Sequence, residues 1–253
     1  MKNKYEDLTG KIVFVTGAAS GIGLAQTKAF LEQGSFVFGF DSQLGEMTKI
    51  AKQYSESFAY FLGDITEKKN LIKAVEQCQH KFGKVAILLN TAGILDGYNP
   101  LLETDEQLWD RIFAVNVKSM YQLTHLILPD MLKQKFGTII NMASIAGFVA
   151  GGGGIAYTSA KHAIIGFTKQ LAFDYASQGI CIKGIAPGAI QTPMNAMDFA
   201  GEGKMAEWVA NETPVKRWAQ PEEVAELTLF LATPQASYIQ GTIIPIDGGW
   251  LLK

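Results

Sequence analysis

The residues Tyr157-Thr158-Ser159-Ala160-Lys161 set a phenol and a primary amine four positions apart, so a helix brings both to one face. A lysine ammonium beside a phenol favours the phenolate and draws its pKa down from a reference of about 10. A tyrosine tuned in that way can pass a proton near neutral pH, as a general acid/base must. Ser144, just beyond a strand-like apolar run, adds a hydroxyl that can position a reacting oxygen. Together they suit the reacting centre of an oxidoreductase. Taken alone, Tyr-x-x-x-Lys is also what an ordinary surface pair looks like, so the surrounding elements must decide.

Those elements follow from periodicity. Tyr157 to Ser177 reads as a helix, with Ala163, Ile164, Phe167, Leu171 and Tyr175 along one stripe. Lys11 to Val15 is a short β-branched run ending in Thr16-Gly17-Ala18-Ala19-Ser20-Gly21-Ile22-Gly23, and a helical pattern follows at once. Strand, glycine-rich turn and helix is the context in which glycines let the backbone approach a pyrophosphate at a helix N-terminus. A tight turn without cofactor would use the same residues. Ser35 to Phe40 is a second strand, and Asp41 at its tip is placed to accept hydrogen bonds from a ribose or to cap the following helix. The third strand, Ser57 to Leu62, leads to Asp64, Ile65 and Thr66, which could cap a helix or touch adenine. Lys84 to Leu89, apolar enough to be buried on both faces, ends in Asn90-Thr91-Ala92-Gly93.

Asp105 to Leu132 reads as one long helix, disturbed only near Pro129, with Asn116 on or beside its apolar stripe. A buried amide there needs hydrogen-bond partners, so structural glue is one reading of Asn116. Thr138 to Met142 is a fifth strand that delivers Ser144 to the same edge. Gly151 to Gly154 is either slack or a site of close approach to a ligand. Ile180 to Ile185 is the sixth strand, followed by Pro187, Gly188, Ile190 and Thr192. The stretch from about 190 to 218 reads as a mobile substrate lid, with Met194, Met197 and Phe199 as apolar lining. Pro221 to Ala232 is a helix and Thr242 to Ile246 a seventh strand. Seven apolar runs alternating with helical patterns argue for an α/β chain with a doubly wound, seven-stranded parallel sheet and helices on both faces, a single-domain Rossmann fold over 1–253.

Composition narrows the function classes. The chain has 253 residues, 48% of them hydrophobic, and a formal charge of -2. That fits one large folded domain and gives no electrostatic footprint for nucleic acid. Cys78 and Cys181 form no CxxC, and no histidine cluster accompanies them, so neither a metal site nor a disulfide framework is expected. The polar N-terminus and the lack of a long apolar run argue against a secretory signal and a membrane span, and point to the cytoplasm.

Taken jointly, these motifs resemble the short-chain dehydrogenase/reductase family over Leu8 to Trp250. The matching residues are Thr16-Gly17-x-x-x-Gly21-Ile22-Gly23, Asp64, Asn90-x-Ala92-Gly93, Asn116, Ser144, Tyr157-x-x-x-Lys161 and Pro187-Gly188. The resemblance implies that Tyr157 exchanges the proton and Ser144 hydrogen-bonds the substrate oxygen. It also implies that Lys161 holds the nicotinamide ribose and lowers the pKa of Tyr157, and that Asn116 anchors a relay water. The cofactor expected is NAD(H), chosen over NADP(H) because Asp41 would repel a 2′-phosphate and Ser20 and Ser42 offer it no cation, and held by Gly17, Ser20, Gly21, Ile22, Gly23, Asp41, Asp64, Ile65, Asn90, Ala92, Gly93, Tyr157, Lys161, Pro187, Gly188, Ile190 and Thr192. A homotetramer is implied too, with Tyr121, Leu128, Phe173 and the C-terminal end at its contacts. The nearest likeness within the family is to 3-oxoacyl-(acyl carrier protein) reductases. Lys133 and Lys135 could dock an acidic carrier, but Ser20 and Gln178 stand where arginine is common in that role, and the residues after Ser144 (Ile145, Ala146, Gly147, Phe148) suit an apolar alcohol or ketone.

Overall fold

The computed structural model describes residues 5–252. Seven strands form one parallel sheet: β1 (Ile12–Thr16), β2 (Phe36–Asp41), β3 (Phe58–Leu62), β4 (Ile87–Asn90), β5 (Gly137–Met142), β6 (Ile180–Pro187) and β7 (Ile243–Ile246). Their order across the sheet is β3-β2-β1-β4-β5-β6-β7, so the winding reverses between β1 and β4. Ligand crevices in open parallel sheets lie at the carboxyl ends of strands beside such a reversal. Each expected strand is present, with ends shifted by one to three residues.

The helices are α1 (Gly21–Glu32), α2 (Met47–Gln53), α3 (Lys68–Lys81), α4 (Glu106–Phe113), α5 (Ser119–Gln134), α6 (Ile155–Tyr175), α7 (Lys204–Glu212) and α8 (Pro221–Ala232). Alternation along the strands divides the core. Val13, Val15, Ile87 and Leu89 turn to the face covered by α1, α2 and α8, where Phe30, Met47, Ile50, Val224 and Leu229 meet them. Phe14, Phe38, Leu88 and Ile139 turn to the other face, against Leu71 and Cys78 of α3, Leu123 and Ile127 of α5, and Leu171 of α6. Both faces of the sheet are therefore dry, which is why its strands read as nearly continuous apolar runs.

Three details depart from the sequence reading. The helix expected to run unbroken over 105–132 carries a π turn at Ala114–Lys118, centred on Asn116, whereas Pro129 lies inside α5 without ending it. One extra residue per turn changes which side chains face inward on either side of the bulge. Leu128, expected at a subunit contact, is buried within the chain's own core, while Tyr121 and Phe173 are exposed. Asp41 does not cap α2, whose N-cap is Glu46.

Among the described residues no helix is long and apolar enough to cross a membrane, and no cluster of His, Cys, Asp and Glu could hold a metal ion. Cys78 and Cys181 are both free thiols, in α3 and β6.

Candidate active site

A cleft of about 990 Å³ opens at the carboxyl edge of the sheet. One end is built by β1, β2 and β3. Gly17 and Gly21 adopt positive φ (72° and 52°), letting the chain turn from β1 into α1. A Cβ at Gly23 would fall on the Gly17 carbonyl, and a Cβ at Gly17 would press on the Ala92 backbone 3.1 Å away. No side chain fits where these backbones pass each other, and the N-terminus of α1 is left bare toward the cleft. Ser20 is its N-cap, but the hydroxyl makes no cap bond. The Thr16 hydroxyl pins the exit of β4 by accepting from the backbone N–H groups of Thr91 (2.9 Å) and Ala92 (3.0 Å).

Asp41 lines this end and has both oxygens engaged. Oδ2 accepts from Ala19 N at 2.9 Å and Oδ1 from Gln43 N at 3.0 Å. The carboxylate thus ties the tip of β2 to the glycine turn and leaves lone pairs for a further donor. Asp64 Oδ1 accepts from Thr66 N and Oγ1, and its Oδ2 meets Arg111 Nη1 at 3.2 Å. These donors, led by the Thr66 N–H, hold the Asp64 carboxyl below the usual carboxylate range. Neither Asp64 nor Thr66 caps α3, whose N-cap is Glu67. Arg111 of α4 was not singled out by the sequence, because nothing in its local pattern distinguishes it from any exposed helix arginine.

The other end holds the reactive groups. Ser144 follows β5 and is buried, and its Oγ accepts from Ala146 N at 3.1 Å. The same hydroxyl favours the ionised form of the Tyr157 phenol. Tyr157 and Lys161, one turn apart on α6, are 7% and 4% exposed. The Lys161 Nζ lies 5.3 Å from the centre of the Tyr157 ring and donates to the Met142 carbonyl at 2.9 Å. The expected depression of the tyrosine pKa is not what this arrangement produces. Burial pushes the phenol up to about 12, with the Ser144 hydroxyl opposing and the neighbouring Tyr98 and Asp96 adding to the rise. Burial also pulls Lys161 down to about 8. Desolvation dominates both shifts because the same closed wall penalises both ions.

Two expected site residues stand behind the wall and do not face the cleft. Asn90 Nδ2 donates to Asn141 Oδ1 (2.9 Å) and Thr124 Oγ1 (3.2 Å), joining β4 to β5 and α5. Asn116 at the π turn grips the Ile94 backbone from both sides: Oδ1 accepts from Ile94 N at 2.8 Å and Nδ2 donates to Ile94 O at 3.0 Å. The glue reading of Asn116 holds. Its amide is also close to the reactive groups, since a Cβ on Gly93 would lie 3.3 Å from Asn116 Oδ1 and 3.8 Å from Lys161 Nζ. The remaining candidates, Gly17, Ser20, Gly21, Ile22, Gly23, Ile65, Ala92, Gly93, Pro187, Gly188, Ile190 and Thr192, all line the cleft.

Asp96 was missed, and it organises the reactive end. Fully buried, it accepts from Gly154 N and Tyr157 N at 2.8 Å each and from Tyr98 N at 3.2 Å. Its only sequence signal is the turn-forming pair Asp96-Gly97. At its helix end the four-glycine loop is not slack. A Cβ at Gly154 would strike the Asn99 backbone and the Asp96 carboxylate, and one at Gly153 would strike the Tyr157 ring. Above the cleft, the segment after β6 is closed at its base by Ala219 N to Ala189 O (3.0 Å) and Gln191 N to Ala219 O (2.9 Å). It contributes Met194, Asp198, Met205, Trp208 and Trp218 to the cleft. Met197 instead points to solvent, and Phe199 packs on the Trp218 ring at 4.8 Å. Of Ile145, Ala146, Gly147 and Phe148, only Ile145 lines the cleft.

A nicotinamide dinucleotide fits these features: a bare helix N-terminus, a turn with no room for side chains, a carboxylate at the tip of β2, and a proton-bearing pair at the far end. Comparison with known proteins agrees. The family model described as enoyl-(acyl carrier protein) reductase matches residues 17–251. A 3-oxoacyl-(acyl-carrier-protein) reductase of Thermotoga maritima is 35% identical over 248 residues, covering 97% of this chain and 99% of that protein. The structure of 3-ketoacyl-(acyl-carrier-protein) reductase from Brucella melitensis complexed with NADH superposes with a TM-score of 0.88 at 30% identity, covering 96% of this chain and 99% of that one. A structure from Beutenbergia cavernae, assigned as an NAD(P)-dependent gluconate 5-dehydrogenase and holding NADP at low occupancy, gives 0.91 at 29%, covering 98% and 99%.

The buried lysine has a measurable consequence. Below pH of about 8 the native protein keeps an ammonium that the unfolded chain would solvate better. Between about 8 and the ordinary value of 10.5 the unfolded state binds more protons, so stability rises with pH through that window. Relative to Lys161→Met, the wild type should therefore gain roughly 3 kcal/mol between those limits. Urea unfolding of both proteins across the window checks this, and parallel pH profiles would contradict it.

Proposed function

Since the chain belongs to the short-chain dehydrogenase/reductase family, we propose that it interconverts a secondary alcohol and its ketone with NAD(H), using Tyr157 as general acid/base. The observation that carries this reading is the buried group of Ser144, Tyr157 and Lys161 at one end of a cleft whose other end is a side-chain-free turn beside Asp41. When bound, the nicotinamide supplies or takes up the hydride. Everything else falls to the protein. With its pKa near 12 the phenol carries its proton at neutral pH and is ready to give it to a carbonyl oxygen during reduction. Ser144 donates to the same oxygen and holds it near the phenol. Lys161, charged below about pH 8, stands beside the ring to steady the phenolate as the proton leaves. Running backward, the phenolate takes the proton of the alcohol. We place this chemistry in the cytoplasm, and include self-association in the proposal, with exposed Tyr121 and Phe173 as candidate contacts; a monomer by light scattering at micromolar concentration would overturn that part.

NAD(H) is favoured over NADP(H) by Asp41. Its carboxylate accepts from a ribose hydroxyl but repels a 2′-phosphate, a clash that costs several kcal/mol at an interface. The only cations lining the cleft among the described residues are Arg111, engaged with Asp64, and Lys161, at the reactive end. The acyl carrier protein reductases among the relatives support a second reading, reduction of a carrier-bound 3-oxoacyl group. A bulky anionic carrier arm finds no free cation at the substrate end, which is why the small-molecule reading is preferred.

One set of steady-state measurements checks both claims. Tyr157→Phe removes a single oxygen and should lower kcat by about 10²–10⁴-fold with dinucleotide binding intact. Near-full turnover would sink the assignment. The wild type should prefer NAD(H) by at least about tenfold in kcat/KM, equivalent to about 1.4 kcal/mol. Asp41→Ala with Ser20→Arg should narrow or invert that ratio, mainly through KM. Equal use of both cofactors by the wild type would mean that Asp41 serves only the glycine turn.

A further inference from the structure

Part of the cleft lining is not explained by the alcohol/ketone reading. Ile94 and Leu95 come from the exit of β4, and Met194, Met205 and Trp208 from the segment after β6. Into this apolar and aromatic lining projects one charged side chain, Asp198, half-buried. Among the described residues no donor reaches its carboxylate, and no cation faces it: the two that line the cleft are held by Asp64 and by the Met142 carbonyl. Its neighbour is Tyr98, whose phenol feels the charge of Asp198 on one side and couples to Tyr157 on the other. Tyr98 is held on a left-handed backbone (φ 62°), an arrangement a bulky residue adopts only where surrounding structure imposes it. Burial pushes the Asp198 carboxyl up from its ordinary value. A half-buried carboxylate with no protein donor keeps its lone pairs free for a donor brought by the ligand.

Resting on the oxidoreductase reading above, we propose that Asp198 selects the substrate. That substrate is a compact ketone or secondary alcohol carrying a second hydrogen-bond donor, a hydroxyl or an ammonium, away from the reacting carbon, and acids are excluded. Tyr157, Tyr98 and Asp198 line one cleft, so a single ligand meets the phenol of Tyr157 at its reacting oxygen and Asp198 at its remote donor. Trp208 and the methionines cover the hydrocarbon between them. An anionic group in the same place would meet a like charge with no counter-ion, which discriminates against carboxylates.

The test uses four cyclohexanones that differ only at the ring carbon opposite the carbonyl, bearing a hydroxyl, an ammonium, a methyl or a carboxylate. Turnover is measured with the full chain and NADH, and binding by quenching of tryptophan fluorescence. The hydroxyl and ammonium forms should exceed the methyl form by at least about tenfold in kcat/KM, with the carboxylate form last. In Asp198→Asn the spread between ammonium and carboxylate should shrink to within about threefold, mostly through KM. An unchanged ranking in Asp198→Asn, or turnover of all four without ranking, would overturn the role of Asp198 and leave the oxidoreductase reading standing. Ranked binding without turnover would support Asp198 and count against that reading. Neither binding nor turnover of any of the four would overturn the substrate class.

Discussion

The reactive end of this protein depends on one buried carboxylate. Asp96 accepts three backbone N–H groups, two of them from the turn that opens the long helix bearing Tyr157 and Lys161. The first turn of a helix leaves its N–H groups without intrahelical partners, and here they are buried under the rim of the cleft, away from water. Supplying them from a loop that leaves the neighbouring strand locks two separate parts of the chain together. The glycines at 153 and 154 follow from this closeness, since no Cβ fits between the carboxylate, the Asn99 backbone and the tyrosine ring. Asn116 secures the same loop from the opposite side through Ile94. The loop is thus clamped between a π turn and a helix N-terminus.

That rigidity has an electrostatic consequence. A phenol and an ammonium held in a closed wall both lose hydration, and each shifts toward its neutral form. The pair is therefore strained in opposite directions, phenol too weak an acid and lysine too weak a base. Ser144 is the one group that already favours the phenolate. The low-dielectric surroundings that raise the cost of charge also strengthen any hydrogen bond made to a reacting oxygen, which is where such a site gains its catalytic effect.

Much of this was legible in the sequence, for identifiable reasons. All seven strands announced themselves as apolar runs because the sheet is covered on both faces. The glycine turn, Asp41, Ser144 and the Tyr157/Lys161 pair were legible because they sit at element ends or at helical spacing, where position follows from local geometry. Asn90 and Asn116 were placed in the right neighbourhood, but their amides are spent on the wall of the cleft and do not line it. Periodicity says which element a residue belongs to, but at a strand tip or a π turn it no longer fixes the direction of the side chain. Asp96, Arg111 and Asp198 were silent. Each acquires its meaning from partners far along the chain, such as Gly154 for Asp96 and Asp64 for Arg111, and a single sequence holds no record of such meetings. The depressed tyrosine pKa failed for a related reason: spacing revealed the lysine, and only the structure revealed the burial.

The clasp at Asp96 can be isolated from the rest of the site, because the glycine turn that would hold the dinucleotide is built by other strands. Replacing Asp96 with alanine removes the acceptor while leaving that turn intact. The most direct measurement is dinucleotide affinity and turnover in Asp96→Ala, side by side with the wild type. Affinity within about threefold and turnover lowered at least about tenfold are the expected pair, since misplacing a catalytic group by about an ångström can cost 10²-fold. Turnover equal to the wild type with unchanged affinity would show that the phenol does not depend on this carboxylate, and would contradict the account.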